Sequence, residues 1–496
     1  MPQKYLYGAA VQGIQDYVFQ TSKLREIAGA SEIVKYICTG AFDKYALETD
    51  GKTPKGESIV RAAGNIKHIF DKEEDCRDAV LNFMRDVITL APGIEISQAV
   101  VTFCDDGEIP DALTRLDNLL KIQRNIPQRN PAIGLAGLLR SRRTGFPAVA
   151  QDDGDYLDLS SAKKRDWASK GNERLLCKLL GTNKIPQERI SYDIGDYADK
   201  NSWIAVIHAD GNGLGQIIMK ISRNKDRLKE FSAALDEANT VAARLAWEST
   251  VDKFSIKDDD IIPLRPIVFS GDDLTVICRG SLALHFTHVF LKEFEKQTAE
   301  KLGSIIRDAG LSFSKLTACA GIAYIKSSYP FHYGYSLAES LCSEAKADAK
   351  KKEHLVDGLA ASCLLFHKVQ DSFVEDYHKK ITERLLTTSD NTSFAFGPYY
   401  SNVEFNERWT VDTLLKTAEG LNGQSGNALK SDLRRYVSLI FRNPGAAGQL
   451  CDRIDKMLPE KDQKLRDTFT NSVSKVRPGF LPTYDVLSLH SIIYQD

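Results

Sequence analysis

Two adjacent carboxylates mark the segment of this chain best suited to chemistry. Asp272 and Asp273 interrupt an otherwise apolar strand pattern in residues 267–278, IVFSGDDLTVIC. Successive side chains of a regular strand point to opposite faces, so both acids can serve one site only where the backbone turns. Ser270 and Gly271 are residue types that permit such a turn. The pattern therefore predicts a β-hairpin with two carboxylates at its tip.

A third carboxylate precedes this hairpin in the sequence. Asp210 ends the apolar, β-branched run of residues 203–215, WIAVIHADGNGLG, which predicts a strand followed by a helix. Unit charges about 4 Å apart repel by about 4 kcal/mol at an effective dielectric near 20, so clustered aspartates need a cation or raised pKa values. Oxygen ligands favour Mg²⁺ or Mn²⁺. We therefore predict that Asp210, Asp272 and Asp273 are catalytic metal ligands.

The residues after Asp210 predict a place for phosphate. Glycines let backbone N–H groups approach a ligand closely, and a helix N-terminus attracts anions. Metal-bound carboxylates beside such a turn are what phosphoryl or nucleotidyl transfer requires. An ordinary turn and an ordinary hairpin are the structural alternative. The candidate nucleotide-binding residues here are Gly211, Asn212, Gly213, Leu214 and Gly215, with Ser270 and Gly271 from the hairpin.

The order of the surrounding elements is that of a polymerase-type palm. Apolar periodicity predicts the succession strand, helix, strand, strand, helix, strand and helix. The predicted ranges are strand 203–209, helix 214–250, strand 262–269, strand 274–278, helix 282–309, strand 316–325 and helix 336–352.

The amino-terminal part of the chain repeats this order without the acids. Residues 4–37 predict a strand, then the segment GIQDYVF that leads into a helix, and then the helix itself. Further along the chain, Ala63-Gly64-Asn65 falls where a hairpin tip is expected. Asp16 lies near the first strand, where a helix-start role is favoured over a ligand role. Residues 1–105 are therefore predicted to be a degenerate palm that cannot hold metal at its tip.

Residues 201–365 resemble the palm of GGDEF-type nucleotide cyclases. They resemble more closely the second palm of the large polymerase-cyclase subunit of type III CRISPR effector complexes, whose hairpin reads GGDD where this chain has SGDD. That subunit pairs a degenerate palm with an active one. The resemblance implies an α+β fold with two ferredoxin-like palm domains, the first degenerate and the second carrying the SGDD hairpin, plus a helical C-terminal domain.

The resemblance extends to a strand and helix after the hairpin. The segment LTACAGIAYIKSSYP followed by YSLAESLCSEAKADAKKK is similar to a small-residue strand, a proline and a helix carrying Ala-Lys in that family. By this match Lys346 contacts phosphate. The alternative is that Lys346 belongs to a solvated helix face with Lys350, Lys351 and Lys352.

The remaining segments carry weaker patterns. Residues 106–200 are predicted to be a linker or helical insert, in which Arg140, Arg142 and Arg143 meet either RNA or nucleotide phosphate or solvent. Residues 366–496 are predicted to form the helical C-terminal domain, with leucine and aromatic periodicity beginning near residue 355. Four cations of this domain form either a partner or RNA face or a solvated surface: Lys430, Arg434, Arg435 and Arg442.

Net charge, cysteine spacing and apolar runs restrict the classes of protein to which this chain is expected to belong. The 496 residues carry a formal net charge of −2, so any RNA contact must be local. The nine cysteines form no Cys-x-x-Cys pair, and structural zinc is not expected. No His-Asp dipeptide is present, so the HD nuclease activity common in larger relatives is not expected. Scattered cysteines, with neither a signal peptide nor a membrane-spanning apolar run, predict a cytoplasmic protein.

Together these features predict a metal-dependent nucleotidyltransferase. It would join ATP or another nucleoside triphosphate into cyclic or linear oligonucleotides with release of pyrophosphate, using two Mg²⁺ or Mn²⁺ ions held by Asp210 and one or both of Asp272 and Asp273. The resemblance implies a role for the products as second messengers in antiviral defence. A non-catalytic nucleotide-binding scaffold of a CRISPR-like ribonucleoprotein is the alternative, and a templated polymerase is a third. RNA, effector subunits and a second copy of the chain are the predicted partners; base preference and product ring size stay open.

Overall fold

The computed structural model describes residues 3–62, 64–126, 137–152, 154–169, 173–221, 224–257, 260–370 and 377–494. Two antiparallel palm sheets, an insert between them in sequence and a helical C-terminal region make up this part of the chain. The predicted α+β class with two palms and a helical C-terminal region is therefore confirmed.

The first palm is a four-stranded antiparallel sheet with helices on it. Its sheet order is β2-β3-β1-β4. The strands are β1 (Lys4–Gln12), β2 (Gly56–Ala62), β3 (Asn65–Phe70) and β4 (Glu95–Phe103). The helices are α1 (Ile14–Phe19), α2 (Leu24–Cys38), α3 (Gly40–Ala46), α4 (Glu73–Asp78) and α5 (Met84–Leu90), with a π-helical turn at Ala79–Phe83.

A further helix, α6 (Ile109–Arg124), also belongs to the first palm. Its buried residues Ala112, Leu113 and Leu116 form a separate apolar cluster with Leu6 of β1 and Val101 of β4. Burial of this amphipathic face is what holds the helix on the sheet. The predicted boundary at residue 105 thus separates α6 from the strands that it covers.

The second palm repeats the first. Its strands β7 (Trp203–Asn212), β8 (Leu264–Ser270), β9 (Asp273–Arg279) and β10 (Thr317–Lys326) lie in the order β10-β7-β9-β8, which is the order β4-β1-β3-β2 of the first palm. The helices are α9 (Leu214–Ile221), α10 (Lys225–Phe254), α11 (Gly280–Asp308) and α12 (Phe331–Ala349). The long helix predicted over 214–250 is therefore two helices, because Asn224 caps α10 through its side chain.

Helices cover both faces of the second sheet. Helix α11 packs on β7, β9 and β10 and against α10, and α12 packs on β7 and β10 from the other face. The predicted small-residue strand explains the close approach of α12. A Cβ at Gly321 of β10 would lie 2.0 Å from the carbonyl oxygen of Ala338 in α12.

The second sheet continues beyond the palm, where the sequence pattern predicts the start of a helical region. Residues 355–370 instead contain β11 (Leu355–Val356), β12 (Leu359–Ala360) and β13 (Cys363–Lys368). Strand β13 pairs in parallel with β10, and β14 (Tyr399–Tyr400) adds an antiparallel edge strand. The predicted boundary at residue 365 falls inside β13.

The insert and the C-terminal region complete the chain. The insert contains β5 (Ala150–Asp152), β6 (Asp155–Leu157), α7 (Leu159–Ser169) and α8 (Arg174–Leu180). The C-terminal region contains a π-helical segment (Tyr377–Leu385) and α13 (Val411–Glu419), α14 (Gly423–Arg442), α15 (Pro444–Met457), α16 (Gln463–Ser472) and α17 (Thr483–Ile493). One contiguous apolar core extends from the first palm through the second palm into these helices.

Two groups of predicted basic residues serve the fold. Arg143 donates to the buried Glu26 of α2 at 2.9 Å and to Asp155 at 3.0 Å, so it is neutralised within the protein. Lys430 is buried, which removes it from the predicted basic face of α14. Arg434 and Arg435 are exposed on that helix.

Candidate active site at the SGDD hairpin

The three predicted aspartates lie at one end of the second sheet. Ser270 pairs with Asp273 across a turn made of Gly271 and Asp272, and Gly271 has a φ of +64°. The register between β7 and β9 ends at the pair Ala209 and Leu274, so Asp210 follows directly beside Asp273. The hairpin turn and the end of β7 therefore bring the carboxylates together, as their order in the sequence predicts.

Burial and mutual repulsion perturb the hairpin acids. Burial raises the pKa of Asp272 to about 6, with a further contribution from the charge of Asp210. Burial also raises the pKa of Asp273 to about 7, with contributions from Asp272 and Asp210. Lys346 opposes both shifts. Carboxylates whose pKa values are raised toward neutrality gain from a bound cation, because it stabilises their charged form.

Gly211 serves this site by leaving room for Asp272. A Cβ at Gly211 would lie 2.7 Å from the Cβ of Asp272 and 2.9 Å from its Oδ2. The sequence predicts that Gly211 cradles phosphate with its backbone. In the structure Gly211 belongs to strand β7, and its missing side chain is the space that Asp272 occupies.

The rest of the predicted glycine-rich turn is shorter than the sequence suggests. Asn212 is also part of β7, and its buried amide donates to Thr317 Oγ1 at 3.1 Å and contacts Cys319 Sγ at 3.3 Å. The nitrogen of this amide is committed to the sheet, whereas its Oδ1 has no hydrogen-bond partner among the described residues. The chain leaves the strand at Gly213, whose φ is +92°.

Leu214 and Gly215 follow as the first residues of α9, and a Cβ at Gly215 would meet open space. The hairpin residue Ser270 is described only in its backbone, so the position predicted for its hydroxyl lies outside the described residues.

Lys346 reaches the acidic cluster from α12. Its Nζ donates to Asp210 Oδ2 at 2.6 Å and to the carbonyl oxygen of Gly211 at 2.7 Å. Burial opposes the charge of Lys346, but its hydrogen bond with Asp210 raises its pKa overall. The structure therefore places Lys346 at the site and not on the solvated face that Lys350 occupies.

Asp348 anchors the end of the helix that carries Lys346. The carboxylate of Asp348 accepts from Arg408 Nη2 at 2.8 Å, from Lys351 Nζ at 2.7 Å and from Tyr400 Oη at 2.9 Å. Burial opposes its ionisation, yet these donors, led by Arg408, hold the pKa of Asp348 well below its usual range. Because Arg408 and Tyr400 follow the palm in sequence, the C-terminal region fixes the end of α12.

The donor set fits a hard divalent cation, but the carboxylates are not yet arranged around one. Asp210, Asp272 and Asp273 offer oxygen ligands, which Mg²⁺ and Mn²⁺ prefer. In the part of the chain that the structure describes, no group of three or more His, Cys, Asp or Glu side chains is arranged to hold a metal ion. The ammonium of Lys346 instead neutralises Asp210. Metal binding at these residues therefore stays a prediction.

The first palm carries uncharged residues at the matching positions. Ala10 pairs with Asn65 on β1 and β3, where the second palm has Asp210 beside Asp273. Gly64 stands at the hairpin tip in the position of Asp272. The predicted Ala63 lies outside the described residues. The register thus shows a palm whose tip offers no carboxylate.

The two palms enclose a cavity of about 520 Å³ beside the acids. This volume lies within the range of about 300–1,000 Å³ that ligand pockets occupy. Asp273, His208 and Thr275 line its second-palm side, and Gly64 and Asn65 line its first-palm side.

Cations on the cavity wall are functional candidates that sequence reasoning missed: Lys35, Arg61, Arg124 and Lys178. Lys178 is paired with Asp236 at 2.7 Å, and Arg61 with Asp43 at 2.7 Å. Burial and the neighbouring Lys178 lower the pKa of Lys35. Lys35 makes no ion pair within the described residues. Because helix periodicity alone cannot show which polar residue faces a neighbouring domain, no sequence signal identified these cations.

Aromatic contacts fix the two palms together next to Asp273. Phe19 of α1 stacks on Tyr335 of α12 with ring centroids 3.9 Å apart. The side chain of Gln15 lies close enough to Glu339 to lower the pKa of that carboxyl, which burial raises. The start of α1, where Asp16 lies in the first turn as predicted, therefore faces the second palm.

Residues 203–356 match the family model described as Cas10/Cmr2, second palm domain. This segment is a palm of the Cas10/Cmr2 family. The match covers the acidic hairpin, β7 and Lys346. No curated protein matches the chain significantly.

Solved structures share the Cas10-like fold over nearly the whole chain. The Csm1–Csm4 subcomplex of the type III-A CRISPR-Csm interference complex matches with a TM-score of 0.56 and 13% identity, covering 99% of this chain and 70% of the other. The Csm1–Csm4 cassette in complex with cA4 matches with a TM-score of 0.55 and 12% identity over the same shares. The cassette with one ATP gives a TM-score of 0.55 and 12% identity, again over 99% and 70%. At these identities the likeness shows the fold.

No helix in the described ranges is long and apolar enough to cross a membrane.

Proposed function

We propose that the second palm is a nucleotidyltransferase that joins nucleoside triphosphates into cyclic or linear oligonucleotides. The supporting observation is that Asp210, Asp272 and Asp273 meet Lys346 beside a cavity lined by cations. A ribose hydroxyl oxygen would attack the α-phosphorus of a second nucleotide. The bond from that phosphorus to the bridging oxygen breaks, pyrophosphate leaves, and the hydroxyl proton is released.

Different residues of the chain would bind the metal, contact the triphosphate and position the carboxylates. Asp210, Asp272 and Asp273 would hold Mg²⁺ or Mn²⁺, which supplies charge neutralisation and lowers the pKa of the attacking hydroxyl. Lys346 would release Asp210 and contact the triphosphate oxygens instead. Gly211 preserves the space for Asp272, and the turn at Gly213 directs the chain into α9.

Adenine is the base that we propose for the substrate. The solved relatives include complexes with ATP, AMPPNP, pppApA and cA4. Those ligands belong to the relatives, and we extend them to this chain because its cavity lies at the corresponding acidic palm. The same relatives are bound to Csm4, so a Csm4-like subunit and a type III effector complex are the proposed partners. The role of the products in antiviral defence is part of this proposal.

The direct test is incubation of the purified protein with each nucleoside triphosphate and Mn²⁺ or Mg²⁺, with and without RNA, followed by mass spectrometry. We expect oligoadenylates and pyrophosphate. The variant Asp272→Ala plus Asp273→Ala should form neither while keeping its fold by circular dichroism. Unchanged nucleotide under every condition contradicts the proposal.

A non-catalytic nucleotide-binding scaffold is the second candidate. Two observations favour it: Lys346 already neutralises Asp210, and no group of three or more metal-ligating side chains is arranged around one point in the described chain. A protein that retains ATP in equilibrium dialysis but never releases pyrophosphate would be the scaffold. Turnover that the double alanine variant abolishes identifies the enzyme.

The cavity cations give a separate test of nucleotide binding. Lys35→Met should weaken ATP binding at least tenfold, because triphosphate charge would lose a half-buried ammonium. The exposed Lys44, which pairs with Asp86 outside the cavity, provides the matched Lys44→Met control. Equal ATP affinity in both variants would show that the nucleotide does not reach the first palm.

A further inference from the structure

Two lysines lie close to one indole ring, at the end of the second sheet that is farthest from the acidic hairpin. Lys326 ends β10 and Lys368 ends β13. Their Nζ atoms lie 4.0 Å and 4.6 Å from the centroid of the Trp203 ring. The two ammonium groups are therefore within about 9 Å of each other, both beside an aromatic ring that attracts cations.

Among the described residues these ammonium groups have no carboxylate partner. Lys326 donates to the carbonyl oxygen of Asn201, and Lys368 donates to Ser491 Oγ at 2.6 Å. Within the described chain neither lysine has a carboxylate oxygen within 4 Å. Asp199 is the acid that acts on Lys368, but its Oδ1 accepts from the backbone amides of Asn201 and Trp203 at 2.9 Å and 2.8 Å.

A third cation adds to this charge. Burial, with smaller contributions from the charges of Lys326 and Arg434, lowers the pKa of Lys368 to about 8, and Asp199 opposes this shift. Arg434 lies on the exposed side of α14 and makes no ion pair in the part of the chain that the structure describes. Lys326, Lys368 and Arg434, here called the basic cluster, thus form no carboxylate ion pair in the described chain, and Asp199 acts on Lys368 without contacting it.

We propose that the basic cluster binds the phosphate groups of a nucleotide chain. Three cations from β10, β13 and α14 match a ligand that offers repeated negative charges, whereas a single carboxylate would neutralise one of them. Cation–π contacts with Trp203 pre-order both lysines, which reduces the entropy cost of binding.

This site is distinct from the acidic hairpin. Trp203 and Asp210 are seven residues apart on β7, a separation of roughly 23 Å at about 3.3 Å per strand residue. A ligand at the basic cluster therefore does not occupy the cavity beside Asp273. The phosphate can come from a single-stranded RNA or from a short free oligonucleotide, and the experiment separates these sources.

The test compares RNA binding of the full chain and of Lys326→Gln plus Lys368→Gln plus Arg434→Gln as a function of salt. A labelled single-stranded RNA should bind the variant about tenfold more weakly at 100 mM salt, with a log–log salt slope smaller by about 2. The control Arg453→Gln plus Lys456→Gln plus Lys461→Gln removes three exposed cations that make no ion pair in the described structure. It should bind as the unmodified chain does. Equal binding by all three proteins overturns the proposal.

Lysine acylation of the unmodified chain provides a second measurement that does not depend on folding of the variant. The acylation rates of Lys326 and Lys368 should fall at least fivefold when RNA or a short oligoadenylate is present. Protection by RNA alone, or by a short oligoadenylate, supports the site and identifies the source. Protection by neither, or by polyglutamate alone, overturns it. Asp272→Ala plus Asp273→Ala should leave this protection unchanged, so failure of the proposed enzyme activity and failure of this site are distinguishable.

Discussion

The ammonium of Lys346 lies 2.6 Å from the carboxylate of Asp210, in the position where a divalent cation would otherwise neutralise that acid. Both groups are partly buried, with 20% and 35% of their side chains exposed, so the interaction is only partly screened by solvent. A cation that binds Asp210 through Oδ2 would displace this lysine. Lys346 then becomes free to contact triphosphate.

Replacement of Lys346 should therefore have opposite effects on two ligands. In Lys346→Met we expect Mn²⁺ affinity without nucleotide to rise severalfold, because competition for Asp210 is removed. ATP affinity in the presence of Mn²⁺ should fall by tenfold or more. Isothermal titration calorimetry measures both, and Lys350→Met, which changes an exposed lysine of the same helix end, should alter neither. Unchanged Mn²⁺ affinity would show that Lys346 does not compete with metal.

The hairpin acids should make stability depend on pH. Burial and repulsion raise their pKa values to about 6 for Asp272 and about 7 for Asp273. Between about pH 4 and pH 7 the folded chain then binds more protons than the unfolded chain, so the free energy of unfolding falls as pH rises through that window. Without metal, Asp272→Asn plus Asp273→Asn should raise Tm at pH 8 by a few degrees and have little effect near pH 4.

Differential scanning fluorimetry across pH tests this expectation. Mn²⁺ at pH 8 should stabilise the unmodified chain and not the double asparagine variant. Asp252→Asn plus Glu300→Gln changes two exposed acids and should show no pH-dependent gain. A double asparagine variant that is equally stabilised at pH 4 and pH 8 would contradict the raised pKa values.

The space beside Gly211 predicts a contrast between two glycine substitutions. In Gly211→Ala the new methyl group would meet the Asp272 side chain at 2.7 Å, so we expect displacement of that carboxylate and a loss of about 1–3 kcal/mol in unfolding free energy. Mn²⁺ binding should weaken with it. Gly215→Ala places its methyl group in open space at the start of α9 and should be neutral or slightly stabilising.

Urea unfolding and Mn²⁺ titration of the two proteins check this contrast. Equal stability and equal metal affinity of Gly211→Ala and Gly215→Ala would show that Asp272 has another position available.

The ion pair between Asp348 and Arg408 should be a strong link between the second palm and the C-terminal region. Both side chains are 8% exposed, and removal of one partner would leave a buried charge. We expect Arg408→Met to cost about 3 kcal/mol in unfolding free energy. Arg227→Met breaks a surface pair, 43% and 62% exposed, and should cost under about 1 kcal/mol.

Hydrogen exchange should locate the effect of Arg408→Met in α12 and in the segment around β14. Adding Asp348→Asn to this variant should recover part of the loss, because the stranded charge is removed. No recovery would assign the loss to packing of the Arg408 side chain.

The sequence is most informative where local pattern and site coincide. Apolar runs that end at Asp210 and at the Asp272–Asp273 pair identify the palm strands, because charged residues inside a buried strand are tolerated chiefly where the strand ends or turns. Strand β13 escapes prediction because CLLFHK is buried over five successive residues, and such a run has no period that separates strand from helix. The role of Gly211 also escapes prediction, since it depends on the position of Asp272 across the sheet.

Contacts between domains are harder to predict from the sequence than individual strands and helices. Lys35 and Arg61 line the cavity only because the first palm faces the second, a relationship that no local pattern encodes. The sequence assigns Arg143 to RNA or solvent because its partner Glu26 is 117 residues away in the chain.

The continuation of the second sheet into β13 and β14 limits how this protein can be dissected. Shortening the chain at residue 365 would cut through a strand that shares six register pairs with β10, and would expose the edge beside Cys319, the neighbour of Asp210. A fragment designed from motif boundaries would therefore be prone to aggregation through that open edge. Expression of the palm as a separate fragment requires an endpoint beyond residue 400, where the edge strand β14 ends.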